Sequence, residues 1–304
     1  TPTLLLEPQS TNLIPYSEDF TQWNKTSQMT VSLNNDISPD GANNATLLTA
    51  SSANQFIYLS ASSSANSTVS LYIKRKTGTG AINLSNDGAA NYTSLSVTDK
   101  WSRIELTFAA STSQVVLKID TSGDEILIYG FQLEALSYAT SYIPTEGAIA
   151  TRLGEVVKGA GDVNTFNSTE GVLFGEFSNT DDNNSGNFIV LSDGSSANSI
   201  YIGKDSTFVR AFLFSNSVKN FDNKTIPHVE NNKVALSYKS GEIKLFINGV
   251  KIIEDTSTFT LGNPFNTLDF GAPNGAINAS KASWKDVRTY NTALTDAELL
   301  TLTS

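Results

Sequence analysis

The chain contains no cysteine among its 304 residues. That excludes disulfide staples, thiol nucleophiles and Cys-ligated zinc. It leaves the compartment open, because a domain that buries a full core needs no cross-link even outside the cell. Histidine is almost as scarce. The single one, His228, sits in TIPHVENNK between Pro227 and the polar Glu230-Asn231-Asn232. A Ser–His–Asp triad or a His-rich metal site would have to use it. No nucleophile or carboxylate partner is visible beside it, so a turn or surface histidine is the preferred reading. Long apolar runs are missing too: nothing approaches the roughly 20 residues of a bilayer span, and no membrane insertion is expected. Positive charge is short, with 20 Lys and Arg against 30 Asp and Glu, a net charge of −10 and a pI near 4.6. An acidic surface repels phosphate backbones, which argues against nucleic acid as a partner.

What the chain does have is period-two alternation. Ile104, Leu106 and Phe108 share one strand face, and Arg103, Glu105 and Thr107 the other. Such a strand has one side on a core and one in water. Similar runs fall at Gln55–Leu59, Thr68–Lys74, Gln114–Ile119 and Glu125–Leu133, separated by Asp40-Gly41, Gly78-Thr79-Gly80, Asp87-Gly88 and Ser122-Gly123. Tyr142–Gly161 breaks the pattern with Pro144 and four glycines, which places a domain boundary near residue 150. Strands then resume at Gly171–Phe177, Asn187–Ser192, Ser199–Gly203 and Phe208–Phe214. Val234, Leu236 and Tyr238 alternate, Ser240-Gly241 turns the chain, and Ile243, Leu245 and Ile247 alternate again before Asn248-Gly249. Asn-Gly between alternating strands signals a type I′ hairpin, because both residues tolerate positive φ. One helix is expected, at the end, where Thr295-Asp296-Ala297-Glu298 forms a capping box. The expectation is an all-β chain of two antiparallel β-sandwich, jelly-roll domains in series, residues 1–150 and 151–304, closed by one short C-terminal helix.

Two stretches carry a family resemblance. Leu4–Trp23 (LLLEPQSTNLIPYSEDFTQW) and Phe131–Arg152 (FQLEALSYATSYIPTEGAIATR) resemble the opening and close of a domain common in phage and prophage structural proteins. Between them, Lys100–Phe108 (KWSRIELTF) resembles the central strand of jelly-roll carbohydrate-binding modules found beside xylanases. Residues from about 160 onward are similar to the laminin-G or concanavalin-type sandwich. The resemblance implies a virion appendage, a tail or head fibre or receptor-binding protein, on the virion surface outside the cell. It further implies attachment to host-surface polysaccharide, contact with other virion proteins, and a homotrimer, as in fibres generally. In that setting an N-terminal attachment portion is expected to precede Thr1. The alternatives are the accessory carbohydrate-binding region of a secreted polysaccharide-degrading enzyme and a purely structural virion decoration.

An enzyme is not expected. Glycoside hydrolysis needs paired carboxylates flanking the sugar. Concanavalin-type glucanases carry them as Glu-x-Asp-x-Glu on one strand, and no such run occurs. Glu105, Glu125, Glu134, Glu176 and Glu242 are isolated and read as solvated strand faces. For a glycan platform, Trp23, Trp101 and Trp284 read as core anchors. The candidate ligand-binding residues are Tyr92, Tyr201 and Arg210; Arg210 shares a strand face with Phe208 and Phe212. The alternative is that this face is core and Arg210 an edge residue. Calcium is the one cofactor suggested. Asp181, Asn183 and Ser185, followed by Gly186, copy positions 1, 3, 5 and 6 of a calcium loop, but position 12 is Ser192 and not the bidentate Glu. A polar hairpin turn between Phe177 and Phe188 is the preferred alternative. In the related sugar-binding modules a structural calcium lies between the opening loop and the last strand, where Asp19 and Glu134 would contribute. The aspartate those modules place on the last strand is Gly130 in this chain.

Overall fold

The structure, a computed structural model, describes residues 3–63, 66–109, 112–179, 186–273 and 282–304. It is all-β, with every strand pair antiparallel and, among the described residues, one α-helix at Asp296–Thr303. The chain divides into two compact units. One is Gln9–Leu153; the other is Gly154–Ser304 together with the stretch ending at Pro8.

The unit Gln9–Leu153 is a sandwich of two five-stranded sheets. One runs Ser102–Phe108, Ser67–Thr77, Glu125–Glu134, Ala45–Ala50, Met29–Asp36; the other Asn24–Lys25, Gln55–Ser63, Thr112–Ile119, Ile82–Ser85, Thr93–Leu95. Alternation dictates which side chains meet between them. Val69, Leu71 and Ile73 are wholly buried, as are Val115, Leu117 and Ile119 from the facing sheet, and Ile104, Leu106 and Phe108 pack against the same core. Trp23 lies in this core, 3% exposed, against Phe131 at 4.8 Å between ring centroids. The two ends of the unit are joined by the pairing of Ser10–Asn12 with Ala150–Arg152. Beside that pair the buried Asn12 amide donates to the carbonyls of Phe131 (3.2 Å) and Ile143 (2.9 Å) and accepts from the amides of Ile14 and Leu133. Both donors and the acceptor are therefore used, as burial of a polar side chain requires.

The second unit packs a six-stranded sheet on a five-stranded one. The first runs Leu4–Leu6, Ala282–Tyr290, Glu170–Asn179, Asn231–Lys239, Ile243–Ile247, Val250–Asp255. The second runs Val218–Pro227, Phe208–Ser215, Ser199–Lys204, Asn187–Ser192, Thr267–Phe270. Their shared core holds Leu173, Ile189, Ile202, Leu213, Leu236, Leu245 and Trp284. The sequence division at 150 grouped Leu4–Leu6 with the first domain. In the structure Leu4 pairs with Trp284 and Leu6 packs on the second core. The Asn248-Gly249 hairpin has both residues at positive φ, 47° and 74°, as a type I′ turn demands. The capping box is formed: Thr295 Oγ1 accepts from the Glu298 amide, and Glu298 Oε2 accepts from the Thr295 amide at 2.8 Å. Leu299 then seats the helix on the outer face of the six-stranded sheet, against Val172, Phe174, Ala235 and Phe246.

Candidate functional site

The strand Phe208–Ser215 sets the geometry of the candidate site. Val209, Ala211 and Leu213 are fully buried in the core, so Phe208, Arg210, Phe212 and Phe214 face outward and are each half-buried. On the neighbouring strand Tyr201 lies opposite Phe212, Gly203 opposite Arg210 and Ser199 opposite Phe214. Phe188 lies opposite Gly203 on the next strand. At Gly203 the backbone of Asn187 comes too close for a Cβ, and the Phe188 ring meets Phe212 at 5.3 Å between centroids and 70°. Tyr201 stacks on Phe212 at 4.3 Å and 23°, and Phe214 meets Phe212 edge-on at 5.9 Å. Four aromatic rings therefore pack on one another on the side of the sheet away from the core. Aromatic pairs at these separations prefer offset and edge-on contacts of this kind.

Charged side chains border the rings. Arg210 is forked between two carboxylates, Nη1 to Asp205 Oδ2 at 3.0 Å and Nη2 to Asp222 Oδ1 at 2.8 Å. Its guanidinium lies 5.6 Å from the Phe212 centroid, within cation–π range. Lys219 pairs with the other Asp222 oxygen at 2.9 Å and lies 5.6 Å over Phe214. Burial pushes the Asp205 carboxyl up, but the amides of Thr207 and Phe208 and the guanidinium of Arg210 outweigh it, leaving it below its usual range. Burial likewise raises Asp222, and the Lys219 and Arg210 cations outweigh that and lower it. Burial raises the Tyr201 hydroxyl against an opposing hydrogen bond from Ser199. Arg210 Nε is buried with no hydrogen-bond partner among the described residues.

Of the three residues expected to bind ligand, two meet here. Tyr201 and Arg210 sit diagonally on adjacent strands of one outward face. On the strand Phe208–Ser215 the odd-numbered residues are buried and the even-numbered ones Phe208 to Phe214 half-buried, whereas Tyr201 is buried, 8% exposed; the strand is interior to its sheet, not an edge. Tyr92 belongs to the unit Gln9–Leu153, before the strand Thr93–Leu95, with Lys118 Nζ 5.0 Å from its ring. Phe188, Phe212 and Phe214 were not singled out by sequence, although the period-two parity through Val209, Ala211 and Leu213 places Phe212 and Phe214 outside.

Asp181, Asn183 and Ser185 lie outside the described residues. Among the described residues no three His, Cys, Asp or Glu side chains are grouped to hold a metal. Asp19 caps the turn Phe20–Gln22, accepting from the Thr21 amide at 3.1 Å, and the buried Glu134 accepts from Ser10 and from the Thr140 amide and hydroxyl. His228 precedes the strand Asn231–Lys239, its Nε2 3.2 Å from the Ser206 carbonyl. Trp101 corrects an expectation. Trp23 and Trp284 are core anchors, each 3% exposed, whereas Trp101 lies on an outer sheet face against Ala45, Leu47 and Leu127. It shares the outward parity of Arg103 and Glu105, donates Nε1 to the Ile37 carbonyl at 3.0 Å, and has Lys74 Nζ 5.4 Å from its ring.

No family model and no curated protein matches the chain. Among solved structures it is similar to the CBM40 of the Ruminococcus gnavus IT-sialidase, at 18% identity and TM-score 0.40, over 49% of this chain and 97% of that one. The same module bound to α2,3-sialyllactose is similar at 19% identity and TM-score 0.40, over the same 49% and 97%. The leech intramolecular trans-sialidase is similar at 18% identity and TM-score 0.38, over 45% of this chain and 23% of that one.

Proposed function

We propose that the protein is a non-enzymatic carbohydrate-binding module and that the outward face built on Tyr201, Arg210 and Phe212 holds the glycan. The observation that carries this reading is the set of packed aromatic rings outside the core, bordered by fixed ion pairs. Solvated strand faces ordinarily carry small polar or charged side chains, and a contiguous apolar patch with a polar rim marks a binding surface. A pyranose presents an apolar C–H face and a periphery of hydroxyls. The first matches the half-buried rings of Phe188, Phe212 and Phe214, with the buried Tyr201 stacked on Phe212. The second matches a guanidinium and two carboxylates already oriented by one another, which cost little further ordering on binding. Arg210 and Lys219 balance Asp205 and Asp222, which favours neutral sugars over acidic ones.

The same electrostatics argue against hydrolysis at this face. A glycosidase keeps one carboxyl protonated near neutrality by raising its pKa. Asp205 and Asp222 are both lowered. Both are therefore ionised and serve as hydrogen-bond acceptors. The reading leaves two settings for the module, a virion appendage or the accessory region of a polysaccharide-degrading enzyme. Flanking genes distinguish them: baseplate or capsid genes are expected for the first, a glycosidase for the second. A glycan array tests the binding itself. Retention of neutral glycans by the native chain, weakened by Phe212→Ala, is expected; retention of α2,3-sialyllactose in preference to every neutral glycan would contradict the proposed charge balance.

A further inference from the structure

A second concave site lies on the opposite side of the same sandwich, where the terminal helix stands on the six-stranded sheet. The register sets its floor. Asp286, Glu176 and Lys233 form one row across three adjacent strands, and Arg288, Phe174 and Ala235 form the next. Helix Asp296–Thr303 covers only part of this face: Leu299 and Thr303 are its buried residues, and the others are half-buried or exposed. Ala297 and Thr301, one turn apart on the helix, form a wall over the rest. The groove is open to solvent and has a volume of about 610 Å³, within the roughly 300–1,000 Å³ of small-ligand pockets.

Its lining is divided. Phe174, Tyr290, Leu294 and Leu302 supply apolar surface. The polar side is made of pairs already formed: Arg288 is bidentate on Asp286, at 3.1 and 2.5 Å, and Lys285 holds Glu176 at 2.5 Å. The Arg288 guanidinium lies 5.8 Å from the Phe174 ring. The two remaining charged lining residues are held by hydrogen bonds, Glu298 by Thr295 and Lys233 by the Ser304 carbonyl, and they carry opposite signs, so the groove has no net excess of charge to select an ion. A neutral polyol breaks none of these pairs, because each of its hydroxyls can donate to a carboxylate and accept from its cation.

We propose that this groove is a second binding site, for a neutral pyranose or the end of a neutral oligosaccharide. The groove stands on its own geometry. Combined with the aromatic face, it gives one sandwich two glycan sites on opposite outer faces, a module able to bridge two polysaccharide chains. Amide shifts of the full chain titrated with lactose, mannotriose and cellotriose provide the test, with three variants. Ala297→Trp fills the groove from an exposed helix position; Arg288→Ala removes a side chain that is 53% exposed; Phe212→Ala reports on the other face. At least one sugar should shift the Glu176, Asp286, Arg288 and helix amides in a saturable way, with Kd in the millimolar range, about 1 mM. Ala297→Trp and Arg288→Ala should each weaken those shifts about tenfold, and Phe212→Ala should leave them unchanged. Absence of groove shifts with all three sugars, or shifts indifferent to both groove variants, would overturn the proposal. Failure of the aromatic-face reading is separate: groove shifts would persist, with none at Tyr201 or Phe212.

Discussion

Arg210 concentrates the physics of the candidate site in one side chain. It satisfies two carboxylates and lies over an aromatic ring, and both carboxylates are lowered for that reason among others. Carboxylates with depressed folded pKa values add stability above their unfolded value of about 3.9 and lose it as pH falls through the folded one. Arg210→Ala should therefore cost about 1 kcal/mol at pH 7 and should flatten the loss of stability as pH falls below the unfolded carboxylate value of about 3.9, measured by denaturant midpoints from neutral pH into acid. Residue types explain what the sequence disclosed here. Tyr201 and Arg210 are polar-tipped residues within strand patterns, so they read as candidates. Phe188, Phe212 and Phe214 are apolar and default to the core until strand parity is counted. Trp101 misled for the same reason: its identity suggests burial, while its parity with Arg103 and Glu105 puts it outside.

Strands with one apolar face were legible because side-chain direction alternates with period two, and the Asn248-Gly249 turn and Thr295 capping box were legible because their backbone chemistry is local. Thr295→Ala should cost about 1 kcal/mol, read as a lowered denaturation midpoint. Edge strands were less visible. Met29–Asp36 is half exposed and irregular in register near Asn34, which has φ 53°, and Val218–Pro227 (VKNFDNKTIP) shows too little apolar alternation to stand out from a loop. That second edge strand supplies Lys219 and Asp222, so part of the site was hidden along with the element that carries it. Long-range clamps are also invisible in sequence. Asn12 looks like a turn residue, yet it ties Phe131, Leu133 and Ile143 together from within the core. Asn12→Ala should strand those buried groups and destabilise Gln9–Leu153 by about 3 kcal/mol, measured by chemical denaturation of that unit.

On the scale of the molecule, each unit has its own core, and the chain does not divide at a single cut. A fragment spanning Gln9–Leu153 retains every member of its core and should unfold cooperatively, with dispersed amide signals. A fragment beginning at Gly154 loses the edge strand Leu4–Leu6 and the bonds between Glu7 and Glu155. It should melt at a lower temperature than the same unit in the full chain, as differential scanning calorimetry would show. The charges around the aromatic face cancel locally, so glycan binding should depend little on salt. The central claim is that this face binds neutral glycan through its rings. It is tested most directly by titrating the array-selected glycan into the native chain and Phe212→Ala, with thermal midpoints measured in parallel. The account predicts at least a tenfold weaker Kd for the variant, about 1.4 kcal/mol, at a folded state retained by both. Equal affinity in the two proteins, or no affinity in the native chain for any neutral glycan, would contradict it.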